Sequence, residues 1–383
     1  MRDVFIIGVG MTQFGKHTDK SLRDLGREAC LNALRDAGIT PKKIEAGYCG
    51  NALAPAIQGE TGVGQNVFWE VGINEIPIVN VENACASGST ALREGWMAIA
   101  GGFYDMVIVA GVEKTVMPKG TMLDVGAAEL ETKLGDVFPG QFALIAQKHM
   151  ERYGTTREQL AKVSVKNHFN GTLNPYAQFQ KQFTVEEVIN SPVVADPLTL
   201  YSCCPNSDGA AAVILCSSKM ARKIKAKAVK VAASILTTGT YSNERDITAW
   251  EIEKRAGGEA YQMASLGPKD IDLVEVHDAF TISEIIHYED LGLCLPGEGG
   301  RIIDEGITEL SGRIPVNPSG GLLAKGHPVG ASGVAQMVEI VWQLRGEAGK
   351  RQVKKARVGI AQIMGGYKEG DTRACTVHIL IKE

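Results

Sequence analysis

The chain has 383 residues, a formal net charge of −4 and a pI near 6.0, so it lacks the broad excess of Lys and Arg that would displace counterions on a nucleic acid or an anionic membrane. Single hydrophobic cores stop growing at roughly 250–300 residues, so this length calls for about two domains. No stretch approaches the ~20 consecutive apolar residues of a membrane helix, and the run Val4 to Val9 is too short for a signal-peptide core; a cytoplasmic protein is expected.

In chain order, Val4 to Val9 reads as a buried strand. Leu22, Leu25, Ala29, Cys30, Ala33, Leu34 and Ala37 then recur at helical spacing, and Gly38 supplies a left-handed stop. A strand follows around Ala46 to Ala52, and another at Ile78 to Val81. Asn83-Ala-Cys85-Ala-Ser-Gly-Ser89 opens a helix running through Ala91, Leu92, Trp96, Ala98 and Ile99, before the buried strand Met106 to Gly111. Strands alternating with helices imply parallel sheets covered by helices. From about 115 to 195 the apolar spacing becomes irregular, which reads as an inserted lid. Asp208 to Cys216 resumes as a core strand, and the basic stretch Arg222 to Lys230 reads as a solvated linker, with contact to a ligand's phosphates as the second reading.

The second half repeats the first. Ala37-Gly-Ile-Thr-Pro41-Lys-Lys-Ile44-Glu is echoed by Ser265-Leu-Gly-Pro268-Lys-Asp-Ile271-Asp, and Cys85-Ala-Ser-Gly88 by Gly330-Ala-Ser-Gly333 at another helix start. Strands follow each, Met106 to Ala110 and Val358 to Ile363. An internal duplication explains this order, and packing two such halves together brings equivalent helix starts, hence Cys85 and His327, near a shared axis. The expected division is 1–118 with 196–224 for the first half, 119–195 for the insertion and 225–383 for the second half.

The eight cysteines show no C-x-x-C spacing, so neither a disulfide framework nor a metal site is indicated; the adjacent pair Cys203-Cys204 reads as small core residues. Cys85 differs. A thiol at a helix N-terminus meets the positive end of the macrodipole, which favours the thiolate and lowers its pKa. His327, held between the glycine turns of Asn317-Pro-Ser-Gly-Gly and Gly330-Ala-Ser-Gly, is presented as a fixed base.

With His277-Asp-Ala-Phe280 at the end of an apolar run, these blocks resemble the thiolases, especially the sterol-carrier-protein type of bacteria and archaea. The resemblance spans nearly the whole chain. It implies a five-layered α/β/α/β/α fold of two duplicated halves, 3-oxoacyl-CoA substrates with coenzyme A as co-substrate, no permanently bound cofactor, a homodimer or higher oligomer, and a small zinc-ribbon/OB-fold subunit as a possible partner. It also implies roles: Cys85 as nucleophile, His327 as its activator, His277 lining one oxyanion hole, and the backbone N–H groups of Cys85 and Gly365 forming another. The chemistry asks for the same parts, since breaking the bond between the α and β carbons needs a nucleophile, a base and donors for two oxyanions. Cleavage by coenzyme A is the expected direction.

One departure stands out. Many thiolases carry a second acid/base cysteine in the C-terminal loop or at the third position of the His-Asp motif, where this chain has Ile363 and Met364, or Ala279. Proton transfer is therefore expected to pass through histidine or water. A non-catalytic acyl-CoA-binding scaffold is the alternative. A dinucleotide enzyme is disfavoured, because Gln13 replaces the third glycine after Gly8 and Gly10.

Overall fold

Eight consecutive buried residues form the first strand, β1 (Val4–Met11). The structure is a computed structural model describing residues 1–115, 130–224, 227–240, 246–368 and 371–383. Three strands follow in the first half, β2 (Ala46–Gly50), β3 (Ile78–Val81) and β4 (Met106–Lys114), then a separate ribbon of β5 (Val193–Ala195) and β6 (Leu198–Thr199), then β7 (Asp208–Ser217). The second half supplies β8 (Val229–Thr237), β9 (Leu273–Glu275), β10 (Val358–Lys368) and β11 (Asp371–Ile381). The strand order is β3-β2-β4-β7-β1-β8-β11-β10-β9, in which β8, β11, β10 and β9 mirror β1, β7, β4 and β2, and β3 is an extra edge strand of the first half. The halves meet at a short seam, Phe5 and Ile6 of β1 opposite Lys230 and Val229 of β8.

The sheet is mixed, not parallel. β2 lies parallel to β3 and β4, and β9 to β10, whereas β7 and β11 run antiparallel to their neighbours. The reason is connection length: β10 and β11 are separated by residues 369–370 alone, and a parallel return needs a dozen or more.

Alternation along the strands sorts side chains into layers. Val107, Val109, Val213 and Leu215 face one cluster with the helices Ser87–Ala100 and Ser332–Arg345, and Leu273, Ala361 and Leu380 of the second half face that same cluster. Met106, Ile108, Ala212 and Ile214 face away, onto the helix Leu22–Ala37. Val274, Ile360, Val377 and Ile379 face away on the other side, onto the helices Glu251–Ala264 and Thr281–Asp290. The result is the five-layered α/β/α/β/α fold. No helix among the described residues is long and apolar enough to cross a membrane.

The outer helices share their punctuation. Helix Leu22–Ala37 starts with a Ser21/Asp24 capping box and ends at Gly38 (φ 64°), and its counterpart Glu251–Ala264 ends at Ser265 (φ 56°). Three-residue 3₁₀ turns, Pro41–Lys43 and Pro268–Asp270, follow both. The basic stretch is not a linker: Arg222 and Lys223 close the helix Ser218–Ile224, Lys230 lies in β8 against Asp3 at 2.9 Å, and Lys227 pairs with Glu347 at 2.6 Å. The expected junctions at 118/119 and 224/225 fall outside the described residues.

The insertion contributes the helices Phe138–Tyr153, Arg157–Thr172 and Val185–Ile189. Helix Arg157–Thr172 buries polar residues, including Ser164, Lys166, Asn167, His168 and Asn170. Burial there is offset by hydrogen bonds to the second half: Lys166 Nζ donates to the Val316 carbonyl at 2.7 Å, Asn170 Nδ2 to the Asn317 carbonyl at 3.0 Å, and Asn167 Nδ2 to Asp278 at 2.8 Å. A segment that follows the first half in sequence thus docks on the second.

The two central helices meet through glycine. A Cβ on Gly88 or Gly111 would collide with the Gly330 carbonyl, and one on Gly333 with Ser89. We expect Gly88→Ala to cost about 1–3 kcal/mol in urea unfolding, the scale of overpacking. Gly258→Ala, on an exposed helix position with open space around it, should instead stabilise by about 0.5–1 kcal/mol; equal effects would show that the glycine contact is not tight.

Candidate active site

Cys85 lies in the 3₁₀ turn Ala84–Ala86, and the α-helix begins only at Ser87. The turn is held open by Ala84, whose positive φ of 48° is costly for a residue with a Cβ. Glu82 offsets that cost by accepting from the Ala84 N–H at 2.7 Å, and Ser87 Oγ bridges, accepting from Asn83 N at 2.9 Å and donating to the Ala84 carbonyl at 2.6 Å. Being outside the first helical turn, Cys85 gains less from the macrodipole than its sequence suggests.

The expected low pKa is corrected accordingly. Burial of the Cys85 thiol pushes it up to about 12, outweighing the N–H groups of Gly366 and of Cys85 itself, which favour the thiolate. Two glycines of the C-terminal loop stand beside this turn. Gly365 sits in strand β10 opposite Ala374, pressed so close to the Asn83 carbonyl that a Cβ would clash. Gly366, at φ 69°, is the residue whose N–H turns toward the sulfur.

His327 Nε2 stands 3.3 Å from Cys85 Sγ, across 242 residues of sequence. Its tautomer follows from the partner at the far nitrogen. Ser332 Oγ lies 2.8 Å from Nδ1 and gives its single proton to the Pro328 carbonyl at 3.0 Å, so Nδ1 carries the hydrogen and Nε2 is left as an acceptor for the thiol. Burial, aided by Lys325, depresses His327 to about 3. The resting pair is a neutral thiol beside a neutral imidazole. Ser207 Oγ fixes the backbone here, accepting from His327 N at 2.9 Å and donating to Gln178 at 2.5 Å.

His277 completes the group: one donor atom each from Cys85, His277 and His327 lie within 4.8 Å of one another, the two rings edge-to-face at 5.3 Å. Its Nε2 is buried with no hydrogen-bond partner among the described residues. Burial, reinforced by His327 and His287, holds its pKa well below the usual histidine range, so a neutral, unpaired ring faces the cysteine. Behind it, His287 reaches the His277 carbonyl at 3.0 Å and Glu253 at 2.7 Å. Burial alone would depress His287, but Glu253 prevails and raises it.

Carboxylates tie these segments together. Asp278 accepts from Leu322 N at 2.6 Å and Leu323 N at 3.2 Å, capping the short helix Gly321–Lys325 that delivers His327. Glu113, on β4, accepts from Ala52 N at 2.9 Å, Leu53 N at 3.2 Å, Asn51 Nδ2 at 2.8 Å and, from the other half, Gly330 N at 3.0 Å. Burial raises both, each to about 7. Asn317, at φ 53°, accepts from Val276 N at 2.9 Å and donates to Glu284 at 2.7 Å.

All four residues expected at the site from sequence therefore sit at or beside it, with Gly366 in place of Gly365 as the sulfur's neighbour. Sequence reasoning missed Ser207, Gln178, Glu113, the Glu253–His287 pair and Gln362, whose Oε1 accepts from His277 N at 3.0 Å. Only Ser332, five residues beyond His327, had a local signal.

Residues 4–219 match the family described as "Thiolase, N-terminal domain", and residues 233–380 the one described as "Thiolase C-terminal domain-like". The chain is 50% identical to an acetyl-CoA acetyltransferase of Methanothermobacter thermautotrophicus over 99% of both chains. It is 40% identical to the benzoylsuccinyl-CoA thiolase subunit BbsB of Thauera aromatica over 95% of both. The solved structure titled "Ltp2-ChsH2(DUF35) aldolase" superimposes with a TM-score of 0.83 at 25% identity, covering 98% of this chain and 97% of that one.

Because the Cys85 thiol is raised to about 12, the thiolate is the minority form throughout the neutral range. Iodoacetamide labelling of Cys85, followed by peptide mass spectrometry, should accelerate nearly tenfold per pH unit from 7 to 9.5 with no plateau. A plateau below pH 8 would reveal a preformed thiolate.

Proposed function

The chain belongs to the thiolase family, and we propose that Cys85, His327 and His277 carry its acyl transfer. It is an acyltransferase that cleaves, or reversibly forms, a 3-oxoacyl-CoA with coenzyme A as acyl acceptor. The observation supporting these roles is the 3.3 Å contact between Cys85 Sγ and His327 Nε2, the latter left as acceptor by Ser332.

In the cleavage direction, His327 Nε2 takes the Sγ proton as the sulfur attacks the substrate's C3 carbonyl, and Ser332 holds the resulting imidazolium through Nδ1. The C3 oxyanion is met by the N–H groups of Cys85 and Gly365, next to Gly366, whose N–H favours the thiolate. As the C2–C3 bond breaks, the electron pair moves into the thioester of the departing acetyl-CoA, whose oxygen takes a hydrogen bond from the unpaired His277 Nε2. Coenzyme A then attacks the acyl-Cys85 thioester and restores the thiol. The neutral resting pair suits this order, because separated charge is created only when donors surround it.

The same donor set, two imidazoles and a thiol, would also suit zinc. We infer an organic role instead, since Cys85 and His327 spend their donor atoms on each other. We further propose three functional units, residues 1–118 with 196–224, 119–195 and 225–383, and a cytoplasmic setting, which eight unpaired cysteines support. Cleavage is the direction we favour.

For assembly, we propose a homodimer or higher oligomer through the edge strand β3, which among the described residues pairs only with β2 and leaves Val79 44% exposed. A small zinc-ribbon/OB-fold subunit is the proposed second partner. BbsB is named as a subunit, and the aldolase title couples Ltp2 to a ChsH2(DUF35) component.

Thiolysis of a panel of straight, branched, aromatic and dicarboxylic 3-oxoacyl-CoAs tests the activity, and intact-protein mass spectrometry should show one acyl adduct. Cys85→Ala is expected to abolish both, while His327→Ala and His277→Ala each lower turnover about 10²-fold or more. An adduct that persists without Cys85 would sink its assignment. Sizing and metal analysis of protein purified from its native host address the partner: a zinc-free homo-oligomer with full activity would rule the small subunit out.

A further inference from the structure

The reaction leaves one proton unassigned. When C2–C3 breaks, the electron pair on C2 needs a proton, and coenzyme A must later lose one. His327 is committed to Cys85 on one nitrogen and Ser332 on the other. His277, neutral and aimed at an oxyanion, gives up its N–H proton reluctantly. Ala279 and Met364, on the two loops flanking the cysteine, have no proton to offer.

A thiol enters this space from a third segment. After the 3₁₀ turn Leu200–Ser202 the chain extends, Cys203 having φ −120° and ψ 139°. It then threads between the two histidine loops. Cys203 bridges Phe280, Cys204 N donates to the Ala279 carbonyl at 2.9 Å, Asn206 bridges His327, and Ser207 Oγ accepts from His327 N. Cys204 is thus fixed between His277-Asp278-Ala279-Phe280 and His327 by backbone bonds on both sides. It keeps partial exposure. Burial, then Cys203, Asp278 and Cys85, oppose its ionisation. The other cysteines lack this position: Cys30, Cys49 and Cys216 lie in the outer core of the first half, Cys375 is fully buried, and Cys203 turns its sulfur to the Thr199 carbonyl at 3.4 Å.

We propose that Cys204 is the proton carrier of the reaction at C2. As the C2–C3 bond breaks, the Cys204 S–H bond breaks with it; the proton goes to C2, completing acetyl-CoA, and the electron pair stays on sulfur. The Cys204 thiolate then removes the thiol proton of coenzyme A as that sulfur attacks the acyl group on Cys85. Cys85 leaves with its electron pair and recovers its proton from His327. Protons and electrons balance with no further reagent. The pair Cys203-Cys204 is therefore not simply core filling. Burial, followed by Cys203, raises Cys204 well above the ordinary thiol value, which keeps its proton in place until a strong base forms at C2.

The inference rests on the thiolysis assigned above, and three measurements with purified protein separate the two. Thiolysis of acetoacetyl-CoA reports the whole cycle, exchange of the acetyl-CoA methyl protons with D₂O reports C2 alone, and mass spectrometry of the adduct formed from acetyl-CoA reports Cys85. Cys204→Ala and Cys204→Ser should each lose about 10²-fold in thiolysis and in exchange, yet reach the full Cys85 adduct on long incubation, since the coenzyme A thiolate can leave unprotonated and only the rate of labelling falls. Cys294→Ala should match wild type in all three. The role is overturned if Cys204→Ser retains thiolysis and exchange within about threefold, or if the adduct is lost in step with them, which marks a structural effect. A wild type that forms the adduct but exchanges no methyl proton overturns it as well. A wild type with no adduct overturns the Cys85 reading, and this proposal with it.

Discussion

Two helices from opposite halves of the chain must touch backbone to backbone, and everything at the site follows from that approach. Gly88 and Gly111 lie against the Gly330 carbonyl, and Gly333 against Ser89, at separations no Cβ would tolerate. Removing those side chains lets the starts of the helices Ser87–Ala100 and Ser332–Arg345 share one small volume, which is what carries Cys85 to within 3.3 Å of His327. The mirrored order of β1, β7, β4, β2 and β8, β11, β10, β9 extends the same relation to the sheet. Neither half could form this contact alone, because each supplies only one of its two side chains.

Close approach by itself would not hold the pair in register. That task falls to buried carboxylates: Glu113 binds the first half's loop at Asn51–Leu53 and the second half's Gly330, and Asp278 caps the helix before His327 while its neighbour His277 faces the sulfur. Burying a carboxylate is expensive, and both are raised to about 7 by it. The multiple N–H donors around each offset that cost and turn it into rigidity. Desolvation also keeps Cys85 and His327 neutral at rest.

The insertion is a third constraint on the same loops. Helix Arg157–Thr172 bonds to Val316, Asn317 and Asp278. From the neighbouring helix, Phe142 stacks on Phe280 at 4.4 Å and lies 6.3 Å from Tyr367, the residue after Gly366. One insertion side chain thus touches both the His277 motif and the loop that follows Gly366.

Local patterns determined a good deal. Apolar periodicity gave β1, β4, β7 and the helix Leu22–Ala37 their identity, because each buries a regular face. Glycine and proline punctuation exposed the duplication, because caps such as Gly38 need a left-handed backbone wherever they occur. The blocks around Cys85, His277 and His327 were legible because catalytic groups must be presented on short, unusual turns. What tertiary structure decided is whatever depends on atoms far apart in the chain. Helix Arg157–Thr172 was opaque because its buried side chains are polar and are satisfied only by the second half. The helix-start thiol read as acidic until its surroundings were known, since desolvation is set by the whole fold and here exceeds the pull of two N–H groups. The placing of Cys204 between two histidine loops, of Ser207 beneath His327 and of Gly366 before the sulfur all rest on long-range bridges, for which no local spacing carries a signal.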